Sequence, residues 1–174
     1  MRLCKQARVM SLIKENRLRI EGVDAGEIFL DDLRIALRLR SQILQASGPV
    51  DLANPDEFNW STHNLADVAL MPHRFYLATS VEMLSLPNNM MGLICTRSKY
   101  ARAGLELAQS SVFVIPGFGS SSPAPLVFEI YPRVELRGLR SNFPYGFLLL
   151  FELDEETKTG DLDYASRFPL STGL

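Results

Sequence analysis

The chain has two cysteines, two histidines, one tryptophan and a formal net charge of only −2 over 174 residues. Each scarcity closes off a class of function. Two cysteines, Cys4 and Cys95, are too few for a disulfide framework. Cys95 lies inside the apolar run MMGLICT, where a reduced, buried thiol is expected, and the compartment is read as reducing. His63 and His73 stand in no HxE arrangement and no CxxC follows them. That excludes the zinc-deaminase signature, leaves a structural zinc site without support, and makes both histidines ordinary loop or strand-edge residues. The small net charge argues against a basic face for nucleic acid, while leaving room for a local anion site. The longest apolar run, GFLLLFEL, is far shorter than a bilayer span, and the first residues lack the apolar stretch and cleavage site of a secretion signal. A soluble, cytoplasmic protein that engages neither nucleic acid nor membrane is the expectation. GxSxG, Walker and GxGxxG templates are absent too.

What is present is ordinary in bulk: 47% hydrophobic and 22% charged residues, enough chain for one domain with one core. Val9, Leu12 and Ile13 recur at helical spacing between Lys5 and Asn16, which predicts an opening amphipathic helix. The period then changes. LRIALRLR (Leu33 to Arg40), HRFYLATSVEMLSL, SVFVI, PLVFEIYP and FLLLFEL read as strands. Between them stand turn signals at Gly48-Pro49, Asn54-Pro55, Pro87-Asn88-Asn89, Pro116-Gly117, Ser120 to Pro123 and Pro144-Tyr145-Gly146. Short strands at close spacing predict a mainly β sandwich or barrel rather than a βαβ fold. Ser47 to Asn64 is polar and reads as a long surface loop, and about 155–174 reads either as a frayed end or as a lid over a ligand.

The segment from Thr96 to Glu129, TRSKYARAGLELAQSSVFVIPGFGSSSPAPLVFE, concentrates the chemistry. Arg97, Lys99 and Arg102 crowd a short stretch that ends at Ala103-Gly104, where glycine stops a helical turn in a left-handed conformation. Gathered cations and free backbone N–H groups suit a polyanion such as a triphosphate; the alternative is a solvated basic turn with rim ion pairs. Glu129 sits between Phe128 and Ile130 in a strand. On the outer side of a sheet it would simply face water. Facing a pocket that holds Arg102, it becomes a candidate general base, with Ser98 placed to orient a water.

These residues carry a resemblance. RSKYARAGL resembles the RSSLARLGL-type segment of the dCTP deaminases, the metal-independent branch of the dUTPase-like superfamily. LRIALRLRSQI looks like its VDLRLG-type strand, HRFYLATSVEMLSLPNNMMGLICTRSKYARAGL like its central hairpin, PGFG like its IDPGF-type loop, LVFEIY like its LEF-type strand, and FPYGFLLLFEL like a later strand. The resemblance implies a single domain over 1–174, a distorted β-barrel or jelly roll with one N-terminal helix and short helical turns, and a homotrimer with sites between subunits. It implies hydrolytic deamination of dCTP or a related pyrimidine deoxynucleotide to dUTP and ammonia, without zinc, with Mg²⁺ carried in by the triphosphate. Glu129 would activate a water for attack on cytosine C4, Ser98 and Arg102 would hold that water and the carboxylate, and Arg97 would contact phosphate. Lys99, Ser111, Tyr164 and Arg167 would also lie near the nucleotide.

The sequence departs from the family pattern at several positions. Ile115 replaces the aspartate of IDPG that meets the sugar, Phe113 stands where an arginine is usual, Val112 replaces a polar residue, Lys99 replaces the second serine of RSS, and Ala36 replaces the aspartate of VDLRLG. GSSSPAP is also longer than the family's tight turn ahead of Glu129. Three outcomes fit: a dCTP deaminase with altered sugar contacts, an enzyme for another pyrimidine nucleotide, or a non-catalytic trimer that binds a nucleotide or a partner protein in a regulatory role.

Overall fold

The computed structural model describes residues 1–48, 53, 59–108 and 112–157. Its opening helix, α1 (Gln6–Lys14), follows a two-residue strand, β1 (Arg2–Leu3), and buries Val9 and Leu12 as their spacing requires. Asn16, with φ of 55°, ends that turn and sends the chain into β2 (Arg19–Glu21). After a 3-10 turn at Ala25–Glu27 come β3 (Ile35–Ala46), β4 (Trp60–Asn64), β5 (Tyr76–Ser85) and β6 (Met90–Thr96). A one-turn helix, α2 (Ser98–Arg102), precedes β7 (Phe113–Val114), β8 (Ala124–Ile130) and β9 (Pro144–Glu152). Every pairing between these strands is antiparallel. Among the described residues no helix is long and apolar enough to cross a membrane.

The sheet curls because β3 belongs to both of its halves. Ile35 to Arg38 pair with β9, which continues through β6 to β7, whereas Leu39 to Gln45 pair with β5, beside β2 and β8. Register shifts at Leu37/Arg38 and between Leu39 and Ile43 mark the corner. Bulges of this kind raise the local twist and let one strand serve two layers. Between the halves lies one core that includes Leu37, Ile43, Ala78, Phe128, Ile94 and Leu148.

A second irregularity falls in β5, whose register against β8 shifts between Thr79 and Met83. Buried polar groups fill the gap. The Ser80 hydroxyl donates to the Glu82 carbonyl at 2.6 Å and accepts from the Leu126 N–H at 2.8 Å. Glu82 is fully buried and accepts from the Arg38 N–H at 2.9 Å and from its guanidinium at 2.6 Å. Burial pushes the Glu82 carboxyl above its usual value, and the Arg38 contacts oppose that rise.

The structure departs from the sequence expectations in several places. Pro144-Tyr145-Gly146 is no turn but the start of β9, where a residue without an N–H costs little because it opens the strand opposite the Arg38 register shift. The loop expected up to Asn64 ends earlier: Trp60–Asn64 forms β4, an edge strand whose polar sequence reflects its exposed face. The Leu33 to Arg40 strand is longer and later, Ile35–Ala46, and SVFVI yields only Phe113–Val114 among the described residues. Cys95 is half-buried rather than buried, although burial still raises its thiol pKa, and both cysteines are unpaired.

Candidate active site

β6 delivers the cationic turn. Its last residue, Thr96, accepts from the Leu107 N–H at 3.0 Å through its hydroxyl, which folds the chain back immediately after α2. Gly104 makes the stop, at φ of 90°, and a side chain there would meet the Val134 methyl at 3.0 Å. The left-handed glycine expected from Ala103-Gly104 is therefore present, and its carbonyl accepts from the Arg133 N–H at 3.0 Å.

The cations do not act alike. Arg97 precedes the turn and is half-buried, its N–H donating to the Tyr145 carbonyl at 2.9 Å and its guanidinium to the Pro144 carbonyl at 3.0 Å. Part of its donor capacity is spent holding α2 to β9. Ser98, Lys99 and Arg102 are exposed. The Lys99 ammonium lies 5.8 Å from the Tyr100 ring, and neither Ser98 nor Arg102 makes a side-chain hydrogen bond or ion pair among the described residues. Three side chains thus present a donor-rich surface with little internal demand on it.

Glu129 occupies β8, where Leu126, Phe128 and Ile130 point into the core and Glu129 alternates to the other face, half-buried. Directly opposite it is Leu77, which packs with Leu44 and, more loosely, with Trp60, Phe75 and Val127. The carboxylate therefore borders a small apolar patch, and it makes no hydrogen bond or ion pair among the described residues. On its other side an isolated parallel bridge joins Ala108 to Glu129. The segment leaving α2 therefore runs to the strand that carries Glu129. Within one chain this backbone contact is the link between the two features: no hydrogen bond or ion pair joins Glu129 to Ser98 or Arg102.

Ser111, Tyr164 and Arg167 lie outside the described residues, as do 158–174 of the expected tail. Ile115 is half-buried ahead of the PGFG turn and accepts from the Phe118 N–H at 3.2 Å. Phe113 is 59% exposed at the sheet edge. His63 lies on β4 and His73 in a loop, as expected, although His73 adopts φ of 60° and its Nδ1 sits 3.3 Å from the Tyr131 hydroxyl. Among the described residues no group of three or more His, Cys, Asp or Glu side chains is placed to hold a metal ion. Sequence reasoning missed Glu82, whose signal is the same lone carboxylate in a strand that drew attention to Glu129. It also missed Tyr100, Phe143 and Tyr145, which come together from two segments.

The curled, mainly antiparallel sheet with one N-terminal helix and short helical turns is a dUTPase-like fold. It superposes on the crystal structure of 2′-deoxycytidine 5′-triphosphate deaminase from Agrobacterium tumefaciens with a TM-score of 0.62 at 18% identity, over 85% of this chain and 47% of that one. The dCTP deaminase-like family model matches residues 3–137, and the chain belongs to that family. Among relatives, a dCTP deaminase of Sulfurisphaera tokodaii is 26% identical over 128 residues, which is 74% of this chain and 64% of the relative. A dUMP-forming dCTP deaminase of Methanosphaerula palustris is 42% identical over 55 residues, 32% of this chain and 30% of the relative. The matches thus span less than two-thirds of these relatives' length.

Proposed function

We propose that this chain hydrolyses dCTP, or a closely related pyrimidine deoxynucleotide, to the uracil nucleotide and ammonia. The observation that carries the proposal is Glu129: a half-buried carboxylate without a side-chain partner among the described residues, on a strand inside the matched span and bordering an apolar patch. A carboxylate with no competing hydrogen bond among the described residues can take a proton from a bound water. In the proposed step a water oxygen forms a bond to C4 while Glu129 takes its proton. The tetrahedral centre then collapses to the C4 carbonyl as its hydroxyl proton passes to N3, the C4–N4 bond breaks, and the proton held by Glu129 leaves with the nitrogen as ammonia. One residue serves both transfers.

Ser98 and Arg102 would position the water and carboxylate, and Lys99 with Arg97 would meet the phosphates, Arg as a planar fork and Lys as a point charge. Magnesium arrives as part of the nucleotide substrate, and the step uses no zinc. The family resemblance implies a homotrimer whose sites form between subunits, and in one chain Glu129 makes no bond to Ser98 or Arg102. The compartment that suits two unpaired cysteines is the cytoplasm.

A second reading rests on Ile115. Where the family pattern has a carboxylate for the sugar, an aliphatic side chain leaves that hydroxyl unpaired, a loss of roughly 1–3 kcal/mol. A chain that still forms the trimer but binds a nucleotide or a partner protein without turnover fits this change. Ammonia release with Mg²⁺ from dCTP, with CTP and dUTP as comparators, separates the two. Release from dCTP with the uracil nucleotide as product supports the enzyme; dUMP as that product would match the dUMP-forming activity in the Methanosphaerula palustris relative's name. Folded protein that releases no ammonia from any of them contradicts it.

A further inference from the structure

The face of α2 opposite its exposed cations closes a cleft of about 380 Å³. Tyr100, from the turn itself, meets Tyr145 with ring centroids 5.0 Å apart and Phe143 at 6.0 Å, and Phe143 meets Tyr145 at 5.3 Å. Leu139 adds an aliphatic wall, and Arg137 and Arg140 supply the charges among the described lining residues. Arg137 is already paired with Glu135. Arg140 is not: its backbone N–H donates to the Tyr145 hydroxyl at 2.7 Å, while its exposed guanidinium makes no hydrogen bond or ion pair among the described residues.

We infer that this cleft is an accessory binding site for a planar aromatic ring bearing an anionic group. The volume falls in the range of small-molecule sites. The rings offer edges and faces for stacked or T-shaped contact, which favours a flat ring over an alkyl chain. A planar guanidinium without a carboxylate, beside a cleft lined by no acidic residue among the described residues, selects for an anion by charge complementarity. Glu129 and the exposed residues Ser98, Lys99 and Arg102 take no part in the cleft, so it is separate from the site proposed above. It shares a wall with that site. A ligand packed on Tyr100 would bias the position of α2, and whatever free energy couples the two sites acts equally in both directions.

The test is binding of adenosine 5′-monophosphate to the full chain by equilibrium dialysis, with adenosine and inorganic phosphate as single-feature probes. Adenosine monophosphate offers ring and anion together and is a purine that a cytosine-specific centre would not choose. The expected result is saturable binding, at least roughly tenfold weaker for either single-feature probe and at least roughly tenfold weaker in Arg140→Gln and in Phe143→Ala, with little change in Arg102→Gln. Both altered side chains are substantially exposed, so the variants should fold, and melting temperature confirms it. No saturable binding by about 1 mM overturns the inference, as does binding that survives both cleft substitutions or falls in Arg102→Gln. Sedimentation showing that Phe143→Ala dissociates an oligomer while the nucleotide binds nowhere would make the cleft an interface between copies instead. The assay needs no turnover, so failure of the deaminase proposal leaves this one intact, and the reverse.

Discussion

Arg38 reaches Glu82 twice, through its backbone N–H and its guanidinium, and donates again to the Glu27 carbonyl at 2.7 Å. Removing one member of such a pair strands a buried charge, whereas replacing both with apolar groups of similar size does not. Arg38→Ala is therefore expected to cost about 3 kcal/mol or more, and Arg38→Met with Glu82→Leu far less than the sum of the single changes. Urea unfolding of the three variants checks this; equal, additive losses would contradict it. The comparison with Glu129 also shows what single residues reveal. Both glutamates are lone carboxylates in apolar strands, and the sequence does not display that one sits in a bulge facing an arginine 44 positions away while the other alternates outward beside Leu77. The outward face of Glu129 was legible from period-two alternation with Phe128 and Ile130; the burial of Glu82 depends on a register shift that no local pattern encodes.

Among the elements, the PGFG loop is held by close backbone approach. A side chain at Gly119, where φ is 65°, would meet the Leu84 carbonyl oxygen at 2.2 Å, and the neighbouring Phe118 carbonyl accepts from the Leu86 N–H at 2.8 Å. Gly119→Ala should destabilise by about 2 kcal/mol or more, since backbone on both sides must shift. A melting temperature within about 1 °C of the parent would contradict that account. Most elements could be read from their residues: α1 from Val9 and Leu12, β5, β8 and β9 from apolar runs, and the stop of α2 from Gly104. Those that escaped did so for physical reasons. Pro144 resembles a turn signal because a strand's first residue and a turn make the same demand, an N–H that is not needed. The polar β4 resembles a loop because an edge strand with an exposed face carries no alternating signal.

For the whole molecule, the ends of the described chain are tied together by charge. Arg8 and Arg2 hold Glu152, whose carboxyl their hydrogen bonds lower to about 2. A folded-state value below the unfolded one means that this contribution is complete above the ordinary carboxylate pKa and is lost as pH falls through about 2. Glu82 acts with the opposite sign. Its folded value is raised, so its contribution is present below the unfolded value and lost as pH rises through the raised one. Glu152→Gln should therefore flatten the acid limb of a stability profile, with a loss of about 2 kcal/mol at neutral pH that shrinks toward pH 2. A constant offset across that window would contradict the assignment. The curled sheet follows from this chain alone, because β3 pairs on both sides of its bulge. The assembly that would bring Ser98 and Arg102 to Glu129 does not, because complementary surfaces leave no periodic mark in a sequence.

Glu129→Gln separates binding from chemistry in one preparation measured two ways. Thermal stabilisation by dCTP with Mg²⁺ reports binding, and ammonia release reports the chemical step. The variant should keep the nucleotide-induced shift and lose turnover by a factor of at least about 100. Turnover equal to that of the parent chain would contradict Glu129 as the general base.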